Sequence, residues 1–215
     1  MGIYDMYDLA HYNEKKLYKE FGVNAEFLID HAKGIETCTI SDIKNYRPKT
    51  NSVSTSQVLF RDYNYQETMI VLKEMVELKS LELVEKHLTT DTINLYIGYS
   101  NNKRKSTGGN YKLSFRTNLY SELVKAFLEL YKKTTFSDTP IRRIGISFLR
   151  VEQKQNEQLS FFLDEEKRRK ERNLELTIAQ VKHKIGLNAV IKGMDLQEAA
   201  TTKIRNKLVG GHNAI

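Results

Sequence analysis

Residues 52–152 alternate between strand-like and helix-like segments, and the order of these segments leaves few folds open to the chain. Strand composition or a two-residue alternation of apolar and polar side chains marks residues 52–63, 88–100, 110–117 and 140–152. Residues 65–86 and 119–133 instead carry apolar residues at helical spacing. The order β-α-β-β-α-β predicts an α+β fold of the ferredoxin-like, split βαβ type. Both helices should then cover one face of a four-stranded sheet and leave the other face open.

The strand residues that point away from the predicted core include cations separated by small side chains. They are Lys112, Ser114 and Arg116 on the third strand and Arg143, Gly145 and Ser147 on the fourth. Small residues between cations let phosphates approach the backbone. Strand lysines and arginines can also serve to prevent edge-to-edge pairing of sheets. Because the same pattern occurs on two strands, nucleic-acid binding is the favoured interpretation.

Net charge and proline usage divide the chain into segments. The formal net charge is +7, distributed as −4 over residues 1–43, +7 over 44–153, −1 over 154–164 and +5 over 165–215. Residues 43–51 include Pro48 and lack periodicity, which predicts a linker. We therefore expect short helices in 1–43, the main domain in 44–153, a peptide segment in 154–164 and a helical tail in 165–215. The basic middle and tail suggest a polyanionic partner, although a solvated basic surface would carry the same charge.

The tail is predicted to contain one amphipathic helix. Leu174, Ile178, Val181 and Ile185 recur at helical spacing and form its expected apolar face. This face predicts either a packing appendage or a partner-binding segment.

Several classes of protein are disfavoured by what the sequence lacks. Cys38 is the single cysteine, which excludes a disulfide framework and indicates a reducing compartment. No apolar run approaches the roughly 18 residues that span a bilayer, and no signal peptide is evident, so a cytoplasmic protein is expected. The histidines are scattered and residues 105–109 lack phosphate-loop spacing, so we predict no catalytic residue, no metal ligand and no cofactor in this chain.

Two strand segments carry a resemblance to a known family. Residues 51–59 (NSVSTSQVL) are similar to the serine-rich opening strand, and residues 140–148 (PIRRIGISF) to the closing strand, of the little-finger domain of Y-family translesion DNA polymerases, in the UmuC-like ImpB/MucB/SamB UV-damage repair group. The β-α-β-β-α-β spacing between them is the one expected for that domain. Residues 2–34 resemble the later helices of the thumb, and residues 206–212 resemble tails found in this group.

The resemblance implies a module that grips primer–template DNA in the major groove through phosphate contacts. At matching positions, Arg142 and Arg143 would contact the template backbone, and Ser52, Ser54 and Ser56 would add hydroxyl or backbone N–H contacts. The other candidate DNA-binding residues, from the strands and the basic loop, are Arg61, Lys103, Arg104, Lys105, Lys112 and Arg116. Accessory proteins of the SOS response are further partners that the resemblance suggests.

Polymerase chemistry in this family requires palm carboxylates that hold two Mg²⁺ ions. Neither family segment that supplies them has a match in a palm-like context here. The expectation is therefore a chain that begins inside the thumb, as a shortened or a natural fragment, and does not itself polymerise DNA. Mg²⁺ is expected only in the palm of a longer parent protein.

A short peptide after the fourth strand resembles the bacterial sliding-clamp-binding pentapeptide. It consists of Gln158, Leu159, Ser160, Phe161 and Phe162. Gln158 would form hydrogen bonds at the rim of the clamp groove, while Leu159 and Phe162 would fill apolar subsites. The alternative is a short strand or loop that packs Phe161 and Phe162 on the tail, and clamp binding is favoured.

A stand-alone ferredoxin-like RNA-binding or protein-interaction domain is the alternative function. Tyr111 and Phe115 are available for base stacking, but the aromatic RNP pattern of RNA-recognition domains is absent.

Overall fold

A computed structural model describes residues 1–36, 38–46, 51–100, 104–154, 164–209 and 212–213. The chain forms two compact units, Met1–Lys49 and Thr50–Ile215. The second unit therefore contains the predicted main domain together with the predicted tail.

The described part of the first unit is a small group of helices around three buried side chains. Its elements are α1 (Met6–His11), α2 (Glu14–Phe21), α3 (Asn24–Ala32) and α4 (Ile40–Asn45). Asn13 caps α2 by accepting the Lys16 N–H at 3.2 Å, because its side-chain oxygen satisfies a backbone donor that the helix leaves unpaired. The buried side chains are Leu17, Ala25 and Ile29.

The second unit has the predicted element order. Its sheet and helices are β1 (Val53–Tyr63), α5 (Tyr65–Glu85), β2 (Leu88–Tyr99), β3 (Thr107–Thr117), α6 (Tyr120–Thr134), β4 (Ile141–Leu149) and the short β5 (Glu152–Gln153). The tail adds α7 (Glu165–Ile185), a 3₁₀ turn (Gly193–Leu196), α8 (Thr202–Arg205), β6 (Leu208–Val209) and β7 (His212–Asn213). The α+β fold predicted from the sequence is confirmed.

The four long strands form an antiparallel sheet in the order β1-β4-β2-β3. β1 and β2, joined by α5, run parallel with β4 between them, and β3 and β4, joined by α6, run parallel with β2 between them. Both connections are thus split βαβ units, as predicted. The strands that close the two units, β4 and β2, occupy the centre of the sheet, whereas a ferredoxin-like sheet places the opening strands there. The ferredoxin-like comparison therefore holds for the element order and not for the strand order.

The core lies between the sheet and the helices α5 and α6. Alternate residues of the central strands are buried in it, namely Ile93, Leu95 and Ile97 on β2 and Ile144, Ile146 and Phe148 on β4. Phe127 of α6 meets Phe148 edge to face with ring centroids 5.6 Å apart. The intervening residues of the same strands consequently point to the opposite, open face.

The tail packs on the helix side of this domain. Ala199 is buried in the same core, and the Glu74 carboxylate of α5 accepts the N–H groups of Thr201 and Thr202 at 2.9 and 3.2 Å. The α6 helix has no side-chain cap of its own, and two carboxylates of α7 supply one. Glu175 accepts the Tyr120 N–H at 2.9 Å, and Glu171 accepts the Ser121 N–H at 2.9 Å.

The predicted apolar face of α7 is wrong at its two ends, Leu174 and Ile185, whereas Ile178 and Val181 are half-buried as expected. Leu174 and Ile185 are 60% and 73% exposed, whereas Arg168, Glu175, Ala179 and Lys182 are buried. The side of α7 that carries Glu171 and Glu175 faces the start of α6. These carboxylates accept hydrogen bonds from N–H groups of α6 that have no partner within that helix.

Candidate nucleic-acid interface

The open face of the sheet is built from rows of residues that pair across the four strands. The central row is Ser56, Gly145, Tyr96 and Gly108, one from each of β1, β4, β2 and β3. The row on one side of it is Ser54, Ser147, Asn94 and Asn110, and on the other side Val58 pairs with Arg143, which pairs with Gly98. The members of these rows on β1, β4 and β2, apart from Gly98, line a groove of ≈ 750 Å³. We call this surface the open sheet face.

The middle of the open sheet face is polar but uncharged. The Asn94 Nδ2 donates to the Asn110 Oδ1 at 2.7 Å across β2 and β3, and Ser54 and Ser147 continue this row of polar groups. Hydroxyl and amide groups can bind phosphate or sugar oxygens. Gly145 lowers the floor of the groove, since a Cβ at this position would touch the Cβ atoms of Ser56 at 3.4 Å and Tyr96 at 3.6 Å.

Cations lie near the two ends of the face. Arg143 pairs with Gly98, and Lys112 pairs with Thr92, so about six residues of β2, roughly 20 Å, separate them along the strands. Both side chains are exposed. Neither makes an ion pair with another residue in the described part of the chain. The two cations are therefore available to an anionic ligand.

The structure places four other predicted DNA-binding cations beside acidic partners. Arg61 forms two hydrogen bonds to the Glu67 carboxylate at 2.6 and 3.0 Å, and this contact lowers the pKa of Glu67. Arg104 lies 2.9 Å from Asp138, and Arg142 lies 3.9 Å from Asp62.

Arg116 has more partners than Arg61, Arg104 or Arg142 among the described residues. Its guanidinium lies 3.3 Å from Asp91 and 3.5 Å from Glu152, and it donates to the carbonyl oxygens of Thr89 and Arg150. Arg116 and Arg142 thus lie in contacts that stabilise the sheet margins, away from the rows of the open sheet face.

The remaining predicted residues differ in position. Ser54 and Ser56 lie on the open sheet face, Ser52 is exposed just before β1, and Lys105 is exposed just before β3. Lys103 and the peptide from Gln158 to Phe162 lie outside the described residues.

Sequence reasoning did not select Tyr96, Asn94, Asn110 or Gly98 as interface residues. The alternation of Asn94 and Tyr96 with Ile93, Leu95 and Ile97 does indicate that they face away from the core. They were not predicted because the candidates came from cations and from the serine-rich opening strand, and these residues of β2 and β3 belong to neither group.

A second group of titratable side chains lies between the tail and the helices. Glu77, Glu175 and Asp195 are buried there, and the Lys192 Nζ lies 3.7 Å from Glu77 and 3.2 Å from the Tyr120 ring centre. Burial raises the pKa of Glu175 to about 7, and the nearby Glu171 acts in the same direction. Since Glu175 caps α6, we interpret this group of side chains as contacts that hold the tail against the helices.

The described residues offer no cluster of three or more His, Cys, Asp or Glu side chains that could hold a metal ion. Within the same part of the chain, no helix is long and apolar enough to cross a membrane.

Comparison with known proteins gives matches over most of the chain. Residues 50–161 match the model of the impB/mucB/samB family C-terminal domain. UvrX of Bacillus subtilis (strain 168), named for UV-damage repair, is 30% identical over 219 residues, which cover 100% of this chain and 51% of UvrX. DNA polymerase IV of Oceanobacillus iheyensis is 28% identical over 195 residues, 89% of this chain and 45% of that protein.

A solved structure, the Y-family DNA polymerase chimera Dbh-Dpo4(243-245)-Dbh, is similar over 71% of this chain and 42% of its own, with 15% identity and a TM-score of 0.45. This chain spans about half the length of the curated relatives it matches.

Proposed function

This chain belongs to the impB/mucB/samB family, with relatives among UV-damage repair proteins and DNA polymerases, and from this premise we propose that its open sheet face binds primer–template DNA through phosphate contacts. The observation that carries the proposal is the arrangement of that face: near each end lies an exposed cation that has no ion pair among the described residues, and the middle is uncharged. A surface of this kind binds a backbone without reading bases.

The dimensions of the face suit a DNA groove. The major groove of B-DNA is about 12 Å wide between its walls, and the phosphates lie beyond those walls. Two cations roughly 20 Å apart along the strands could therefore contact the backbones on both sides of the groove. The neutral row between them would lie over the groove, where a fixed charge would favour particular bases. Such binding would tolerate any template sequence, including a damaged one.

Salt-dependent DNA binding tests this function. The affinity of the full chain for a duplex with a primer–template junction, measured by fluorescence anisotropy, should fall with salt and should vary little with sequence. Lys112→Ala and Arg143→Ala should each reduce the log–log salt slope by about 1, because each would remove one phosphate contact. Lys133→Ala, which removes an exposed lysine from α6 on the helix side, serves as the control and should leave the slope unchanged. Equal slopes for all four proteins would contradict the proposal.

The same salt-dependence measurement tests Arg116, the other predicted DNA-binding cation on β3. Arg116→Ala removes a charge that Asp91 and Glu152 already balance, so we expect a wild-type salt slope. A slope reduced as much as that of Lys112→Ala would restore Arg116 to the interface.

We further propose that the whole protein acts in translesion DNA synthesis and that the described residues contribute DNA binding to it. Similar proteins named DNA polymerase IV support this role. The described residues do not fit a pair of Mg²⁺ ions, because they offer no carboxylate cluster, and no catalytic step is assigned to them. On this proposal, the metal ions and the polymerase chemistry belong to other parts of the protein.

Tethering to the sliding clamp through Gln158–Phe162 is a separate proposal. The residues on either side of this region are anchored, since the Lys154 N–H donates to the His87 carbonyl at 2.7 Å and the Asp164 side chain caps α7 at the Lys167 N–H, 3.0 Å away. A clamp bound to this peptide would therefore be linked through the chain to β5 on one side and to α7 on the other.

Calorimetric titration into a bacterial sliding clamp tests the tether. Gln158→Ala/Phe162→Ala should abolish the heat of binding, because these side chains would fill the two ends of the clamp groove. Ser160→Ala is the matched control, since it changes a residue with no assigned contact, and it should bind like the wild-type chain. No binding by the wild-type chain to a clamp that binds a known peptide would refute the tether and leave DNA binding unaffected.

The alternative RNA-binding function gains no support from the described aromatics. Tyr111 pairs with the buried Ile93, and Phe115 lies under Arg168 of α7 with 5.3 Å between the guanidinium and the ring centre. Both rings are thus on the helix side of β3, where a single-stranded base could not stack on the open sheet face.

A further inference from the structure

The outer edge of the Tyr96 ring lies over Gly98 on the open sheet face, beside the base of the Arg143 side chain. A Cβ at Gly98 would be 3.2 Å from the Tyr96 Oη, 3.3 Å from its Cε1 and 3.0 Å from the Arg143 Cβ. Glycine at this position therefore provides the space that the phenol ring occupies. The Tyr96 side chain is 42% exposed, so its upper side is accessible to a ligand.

The hydroxyl of Tyr96 is a hydrogen-bond donor exposed on the open sheet face. It makes no hydrogen bond within the described part of the chain. By contrast, the hydroxyl of Tyr99 on the same strand bonds the Thr107 Oγ1 at 2.7 Å, and that of Tyr131 donates to the Tyr65 carbonyl at 2.9 Å. Packing already positions this tyrosine, so it loses little conformational entropy when its hydroxyl donates a hydrogen bond to a ligand.

We propose that the Tyr96 hydroxyl and the Arg143 guanidinium bind the same phosphate of the DNA backbone. The proposal rests on the DNA-binding function and identifies a specific contact within it. Arg143 supplies the charge and Tyr96 supplies a directed neutral donor, and hydrogen bonds to an anionic oxygen are stronger than those between neutral groups. Gly145, between Ser56 and Tyr96, carries no side chain that would hold the phosphate away from this pair.

Tyr96→Phe isolates the hydroxyl, because the ring and its packing on Gly98 remain. With a fluorescein-labelled 20-base-pair duplex and the full chain, we expect affinity to fall by about tenfold while the salt slope stays the same, since no charge is lost. Tyr111→Phe removes a hydroxyl from the helix side of the neighbouring strand and should bind like the wild-type chain. In the Arg143→Ala background, Tyr96→Phe should weaken binding by less than about twofold, because the shared phosphate is then no longer held in place.

Gly98→Ala provides a second test that preserves all charges. Its methyl group would push the Tyr96 ring and Arg143 apart, so affinity should fall with an unchanged salt slope. Circular dichroism would confirm that the variant is folded.

The outcomes separate this inference from the function on which it rests. If Arg143→Ala weakens binding and Tyr96→Phe does not, the shared phosphate contact is refuted and the DNA-binding function stands. If the effects of Tyr96→Phe and Arg143→Ala multiply as independent changes, the two residues contact different groups and the inference is likewise refuted. If the wild-type chain does not bind DNA, both proposals fail.

Discussion

Gly108 lies on β3 opposite Tyr96, with a backbone φ of +114° and almost no space above it. A Cβ at this position would lie 2.0 Å from the carbonyl oxygen of Leu95 on the neighbouring strand. The residue is therefore limited to glycine both by its conformation and by the close approach of β2.

Substitution of Gly108 should destabilise the domain. We expect Gly108→Ala to lower the free energy of unfolding by about 3 kcal/mol, from left-handed backbone strain together with the clash against β2. Urea denaturation followed by circular dichroism measures the loss. Gly109→Ala is the matched control, because Gly109 has a φ of +128° and nothing within 4 Å of its Cβ position. A loss no greater than that of the control would show that the close approach to Leu95 has no energetic effect.

Arg116 and Arg142 show which residue positions the sequence could not predict. The two-residue alternation predicts that Arg116 and Lys112 lie on the same face of β3. In the structure, however, four residues of β3, 113–116, lie opposite the single residue Asp91 of β2. Likewise, residues 59–62 of β1 lie opposite Arg142 of β4 alone. Each irregularity interrupts the alternation, whereas Lys112 and Arg143 lie within regular pairing and are oriented as their pattern predicts.

At the level of elements, α7 completes α6 by supplying the cap that α6 lacks. Leu119 occupies the N-cap position and has no side-chain oxygen, so the first N–H groups of the helix are satisfied by Glu175 and Glu171. The element types and order followed from periodicity, because each segment carries its own apolar pattern. Periodicity could not predict the contact between α7 and α6, because it joins residues about 50 positions apart. Its side chains are carboxylates, which an apolar pattern assigns to the solvent-exposed face of a helix.

The Glu175 contact should make stability depend on pH. The pKa of Glu175 is raised to about 7 in the folded protein, so the folded state retains a proton that the unfolded state loses near its ordinary pKa of 4.5. The free energy of unfolding should therefore fall as pH rises from about 4.5 to 7 and level off above that range.

Glu175→Gln removes this titration and keeps an oxygen to accept the Tyr120 N–H. Relative to the wild-type chain, the variant should be more stable at pH 8, by an amount on the order of 3 kcal/mol, and of similar stability near pH 4.5. Glu166→Gln, on the exposed side of α7, controls for the loss of one negative charge. Parallel stability curves for the wild-type chain and Glu175→Gln between pH 5 and 8 would contradict the assignment.

On the scale of the whole molecule, the folded domain extends beyond the region that the family model matches. The match ends at residue 161, yet Ala199 lies in the core and Glu74, Glu77 and Tyr120 have partners in the tail. Residues 164–207 are therefore part of the domain structure and contribute to its stability.

Deletion of the tail tests this dependence. A chain that ends at residue 163 should lose at least about 2 kcal/mol of unfolding free energy, because α6 loses its caps and apolar surface around Ala199 becomes exposed. Its urea m-value should also be smaller, since less surface is buried in the folded state. A chain that ends at 207 keeps α7 and α8 and is the control. Equal stability of the two shortened chains would show that the tail is an independent appendage.

The central position of β4 has a consequence for how the molecule is made. β4 is the last long strand in the sequence, and it separates β1 from β2, with pairs as distant as Val53 and Phe148. Such non-local pairing slows folding, because a long loop must close before the contacts that stabilise it can form. During synthesis, β1 has no partner strand among the described residues until residues 141–149 have left the ribosome. Since Arg143, Gly145 and Ser147 lie on that strand, a nascent chain acquires its candidate DNA-binding surface only in the step that assembles the sheet.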